Sequence, residues 1–180
     1  PLRLVGSEMC IRDRDKDKNV LGWINELAFA PVDLCGNAMQ DEWSTDFGVG
    51  CKYFSQDAVI KLAPAAGIAL DENLSPAEKL KVVQAMMEKD DPGAQAIFET
   101  IGAYLAYTVV LYSQFYDIEH MMMLGRVMSG KGGDTILRVC NEILADEYPA
   151  LAKKCEVSLP DEKTRRVGQS VAAASLPRIR

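Results

Sequence analysis

Residues 96–116, AIFETIGAYLAYTVVLYSQFY, put apolar side chains almost all round a helical projection, and this constrains the fold more than any other feature of the chain. Ile97, Ile101, Leu105 and Val109 recur at helical spacing, and the positions between them are scarcely more polar. A helix without a polar face needs neighbours on several sides, so it is expected to be the central buried helix of a packed domain. It carries Glu99, Ser113 and Gln114 and has acidic flanks, which separates it from a membrane span of roughly 20 apolar residues. The chain has 180 residues, 48% of them hydrophobic and 26% charged, enough for one such core and too much for a disordered, collagen-like or disulfide-stapled chain.

Other elements follow from local signals. Phe54, Ala58, Val59 and Leu62 share one helical face, and Leu80, Val83, Met86 and Met87 share another. Ser75-Pro76 and Asp91-Pro92 each combine a capping side chain with proline at the first helical position, so helices are expected to start there. Residues 20–32 read as an extended segment with turns, and residues 41–50 as a loop. Residues 119–124 and 154–159 read as strands, with Met121, Met122 and Met123 in the core and His120 at a strand start. The helical spacing of Ile136, Val139, Cys140 and Ile143 between them makes a strand, helix, strand unit, which implies a parallel pair. A last helix is expected at 167–175. The fold class is α/β, helix-rich, with a small mixed sheet.

Counting excludes several functions. Lys and Arg total 20 against 26 Asp and Glu, a net charge of −6, which gives a nucleic-acid partner little electrostatic support. One histidine, His120, rules out a multi-histidine metal site. The five cysteines, Cys10, Cys35, Cys51, Cys140 and Cys155, include no Cys-x-x-Cys and read as reduced thiols, hence a cytoplasmic protein without membrane insertion. Cys10, Cys140 and Cys155 are expected as small core residues.

The first chemical hint is residues 125–133, GRVMSGKGG, at the carboxyl end of the first strand, where open α/β sheets bind ligands. Gly125, Gly130, Gly132 and Gly133 would let backbone amides approach a phosphate-bearing ligand at a helix start. The alternative is a connection that uses glycine only for turns. Gly125 to Lys131 also matches Gly-x-x-x-x-Gly-Lys, but Gly132 stands where a P-loop needs Ser or Thr for magnesium.

Residues 1–18 are expected to form a leader outside the fold: residues 1–14, PLRLVGSEMCIRDR, show no periodicity and resemble a translated sequencing adapter. From residue 19 an ordered set of segments stands out. Residues 22–29, GWINELAF, are followed by Gly50-Cys51 and a helix. Then come IGAYLAYTVVLYSQFYDIEHMMMLGRVMSGKGG at 101–133 and LPDEKTRRVGQSVAAASLP at 159–177. In this order they resemble the C-terminal lobe of the ROK family of repressors and sugar kinases, within the actin-like ATPase superfamily of ribonuclease H-like fold. The resemblance spans residues 19–177.

The resemblance implies the C-terminal part of an ATP-dependent hexose kinase, with ATP and Mg2+ as cofactors of the full-length parent and a sugar as second ligand. It assigns sugar hydroxyls to Glu26 and neighbouring Asn25, and the nucleotide to Gly125, Arg126, Ser129, Gly130, Gly132 and Gly133. A homodimer or higher homo-oligomer is also implied. The family's zinc cluster is reduced to Cys51 and Cys35 and its histidine to Phe29, so no zinc is expected. No Asp-x-Gly-Gly-Thr hairpin or Asn-Asp base segment occurs in the chain, so no catalytic residue is assigned and the polypeptide as given is expected to lack kinase activity. The alternative within the family is a non-catalytic sugar-sensing regulator whose helix-turn-helix lies elsewhere.

Overall fold

A computed structural model describes residues 27–159. Asn25, Glu26, the leader and the helix expected at 167–175 lie outside the described residues. Residues 27–50 make a 3-10 turn, Leu27–Phe29, and a loop tied together by isolated antiparallel bridges, Pro31 with Val49 and Gln40 with Phe47. Two short helices follow, α1 (Gly50–Tyr53) and α2 (Gln56–Leu62), then α3 (Pro76–Met87) and α4 (Pro92–Tyr112). The remaining elements are β1 (His120–Met122), a 3-10 turn at Arg126–Met128, α5 (Gly130–Glu147), α6 (Pro149–Lys154) and β2 (Glu156–Ser158).

Both proline starts are where the sequence puts them. Ser75 opens α3 with a complete capping box: its hydroxyl faces the Glu78 amide while the Glu78 carboxylate accepts the Ser75 N–H at 2.9 Å. Asp91 accepts the Ala94 N–H at 2.9 Å and opens α4. Ser75→Ala is expected to remove about 1 kcal/mol of stability, readable as a lower urea midpoint at unchanged slope.

Helix α4 is the central element, with Ile97, Phe98, Ile101, Leu105, Ala106 and Val109 all at most 2% exposed. By length and composition it could cross a membrane, yet half of its apolar window is buried inside this fold. Helix α5 lies alongside it in the same direction, Gly132 against the Phe98 ring, Ile136 against Gly102, and Glu147 accepting the Tyr107 hydroxyl at 3.0 Å. Leu80 and Val83 of α3 and Val59 of α2 complete the core. Burying Phe98 alone removes enough apolar surface to contribute about 2–3 kcal/mol.

The strands pair in parallel, His120 with Glu156, Met121 with Val157 and Met122 with Ser158, across α5 and α6. The observed architecture is therefore helix-rich with a two-stranded parallel sheet, and the sheet among the described residues is parallel, not mixed. Two local expectations change. Met122 is 54% exposed because the strand alternates, so Met121 and Met123 turn to the core and Met122 away. Cys140 and Cys155 are buried as expected, while Cys35 is exposed and Cys51 half-buried, because these two sit on the loop and the short helix outside the main core. Residues 130–133 belong to α5 and not to a loop, and α6 is an additional helix opened by Pro149.

Candidate functional site

The turn after β1 is held from inside and open outside. Val127 and Met128 are buried anchors, and the turn closes on itself through Met128 N–H to Gly125 O and Ser129 N–H to Arg126 O, each 3.2 Å. The Gln84 side-chain amide on α3 donates to Arg126 O at 2.9 Å and fixes the turn against that helix. Gly125 adopts φ +124°, a conformation that a side chain disfavours, and a Cβ built on it would meet nothing within 4 Å. Beside it lies a depression of about 420 Å³ lined by Ala77, Leu80, Lys81, Gln84, Arg126 and Ser129. Its chemistry is an apolar floor with two cationic side chains and one amide at the rim.

Of the sequence-predicted nucleotide residues, the structure brings Gly125, Arg126, Ser129 and Gly130 to this exposed edge and turns Gly132 and Gly133 inward. A Cβ on Gly132 would lie 2.6 Å from the Phe98 ring, and one on Gly133 would lie 2.1 Å from Met128 O. Those two glycines serve helix packing. The head of α5 is also not vacant for an anion: Glu88 Oε1 accepts the Lys131 N–H at 3.4 Å, and the Lys131 ammonium donates to Glu88 O at 3.3 Å and Asp90 at 3.1 Å. A carboxylate at the helix N-terminus uses the partial positive charge that a phosphate would need. Lys131 folds back on α3 and cannot act as a phosphate lysine of P-loop type.

A second polar cluster escaped the sequence reading. Lys52 of α1 is only 5% exposed, and its ammonium donates to Glu42 at 2.8 and 3.0 Å and to Asp57 at 2.7 Å. Burial alone would lower the Lys52 pKa, but Asp57 and Glu42 more than offset that and hold it above the usual lysine range. Its neighbour Tyr53 donates to Asp33 and accepts the Met39 N–H at 3.1 Å. The loop carboxylates sit below the usual range: Asp33 through the Tyr53 hydroxyl, Asp41 through the Ser44 amide, Glu42 through the Lys52 ammonium. Burial, with Asp41 nearby, pushes the Cys51 thiol up to about 12, so Cys51 is not poised as a nucleophile. Every proton of the Lys52 ammonium has an acceptor, and the arrangement clasps residues 33–48 onto α1 and α2. A single Lys inside a run of small and aromatic residues, GCKYF, was the available signal.

Among the described residues no group of three or more His, Cys, Asp or Glu side chains is arranged to hold a metal ion. No known protein family matches the chain, and no curated protein does.

Proposed function

We propose that this chain is the C-terminal part of a ROK-type, ATP-dependent sugar kinase, and that the turn at Gly125, Arg126 and Ser129 takes the nucleoside end of the nucleotide. One observation carries the reading: an exposed turn at the carboxyl end of a strand in a parallel strand, helix, strand unit, next to a depression rimmed by Lys81, Gln84 and Arg126. The ordered resemblance of residues 19–177 supports it from the sequence side. The Glu88 carboxylate at the head of α5 argues for a hydroxyl-bearing ribose there and against the phosphates. ATP, when bound, supplies the phosphoryl group; this lobe's share is to hold and orient the nucleoside.

Equilibrium dialysis of the full chain against labelled ADP tests the reading. The expected result is saturable binding with Kd near or below about 1 mM. Arg126→Ala should weaken it by about fivefold through loss of a charge-assisted contact, and Gln84→Ala by a smaller factor through loosening of the turn. Binding that ignores both substitutions, or none at all, would sink the proposal. ATP, Mg2+ and a hexose panel should give no turnover above background with this polypeptide.

A further inference from the structure

We infer that the hairpin of residues 39–48 is a docking surface for a basic, arginine-bearing segment of a partner protein, received on the Trp43 indole and the carboxylates around it. The apolar part of the surface stands out by exposure. Trp43 is 78% exposed and Phe47, on the other arm of the hairpin, 62%, in a chain that buries Phe98 and Ile101 completely or nearly so. Tryptophan, with tyrosine and arginine, is enriched among the residues that carry most of the binding energy at protein interfaces.

The hairpin is set in its shape before any partner arrives. Asp41 accepts the N–H groups of Trp43 at 3.1 Å and Ser44 at 2.7 Å, and the Gln40 side-chain amide donates to Thr45 O at 2.9 Å. The Phe29 ring supports the indole from behind, with ring centroids 5.6 Å apart. Glu42 is anchored by Lys52 and its side chain is still 82% exposed, so it keeps acceptor capacity toward solvent. A pre-ordered loop spends little conformational entropy on binding.

Charge selects the partner. Asp41, Glu42 and Asp46 lie on the same hairpin as the indole and Asp33 on the segment bonded to its Gly48 end, while among the described residues Lys52 is engaged by Glu42 and Asp57, and Lys61 by Asn37 O at 3.4 Å. Residues 27–159 as a whole hold 10 Lys and Arg against 19 Asp and Glu. In a two-fold contact between copies this patch would meet its own carboxylates, which is unfavourable. A guanidinium satisfies both halves of the surface, since it stacks on an indole face and forks to a carboxylate, and an ammonium does this less well.

The test uses the full chain carrying Trp23→Phe, which leaves Trp43 as the sole tryptophan reporter. The probes are a short alternating arginine–glycine peptide and its lysine and glutamate counterparts. The arginine peptide is expected to shift Trp43 emission saturably, the lysine peptide to bind more weakly, and the glutamate peptide not to bind. With a labelled arginine peptide, Trp43→Ala should weaken binding by about tenfold and Asp46→Asn by about threefold. Asp146→Asn, on α5, should leave it unchanged. If Trp43→Ala costs no more than Asp146→Asn, the attraction is diffuse and the proposal fails. It fails equally if sedimentation shows a dimer that Trp43→Ala dissolves, which would give the surface to a second copy.

Discussion

Gly133→Ala is expected to lower the stability of the folded chain by about 2–3 kcal/mol, seen as a fall of about 5–10 °C in the thermal midpoint. Elsewhere in a helix the same change would help by about 1 kcal/mol, because alanine loses less backbone entropy than glycine. Here the added Cβ would sit 2.1 Å from Met128 O and 2.3 Å from its carbonyl carbon, and backbone atoms cannot rotate away as a side-chain tip can. The head of α5 would have to move off the 3-10 turn that carries Arg126. A midpoint that rises would show that the turn yields easily and that Gly133 has no packing role. The measurement also separates two meanings of glycine in this segment. If Gly133 mattered by admitting a ligand to its amide, the substitution would reduce ligand affinity and leave the apo protein's stability alone.

Lys52→Met should cost about 3 kcal/mol, because it strips the counter-ion from Asp57 and Glu42 while leaving a hydrophobic stem of similar volume. The partly exposed position of Asp57, 32% by side chain, lets water recover some of that and keeps the figure below the upper range for buried pairs. The pH dependence has a definite sign. Lys52 is held above its unfolded pKa, so its contribution is complete below about pH 10.4 and is lost as the pH rises through the folded value. Glu42 is held below its unfolded pKa, so its contribution is present above about pH 4.3 and is lost as the pH falls through the folded value. Urea midpoints of parent and Lys52→Met should therefore differ most between those limits and converge toward both. A constant difference from acid to alkali would mean that packing of the stem, not the ion pairs, accounts for the loss.

The parts of this fold that are legible in the sequence are those decided locally. The starts of α3 and α4 follow from Ser75-Pro76 and Asp91-Pro92, since a cap and a proline act on the residues beside them. The centrality of α4 follows from its lack of a polar face, and the parallel strands follow from their separation by a helix. Misreadings occur where distant residues decide. Glycine is a poor helix former, so residues 130–133 look like a loop, yet Phe98, some 34 positions before Gly132, leaves room only for a residue without Cβ. The clasp on Lys52 joins residues 10 positions before it and 5 after it, spacings that belong to neither helix nor strand. Of the candidate nucleotide edge, Gly125 and Arg126 were readable because a strand end and a glycine mark them, whereas Gln84 and Glu88 come from another helix and carry no mark at all.

The strands of the parallel pair are three residues each and meet 36 positions apart. Closing a loop of that length has an entropic cost that so few ladder bonds cannot offset by themselves. The sheet is thus a product of the α4 and α5 contact and not a support for it, and it is expected to form late in folding and to open early on heating, which the exchange rates of the Met123 and Glu156 amides would show. The exposed turn that carries Arg126 hangs from the end of β1, so its order is set by the helices beneath, and whatever it binds must wait until the rest of the chain has folded.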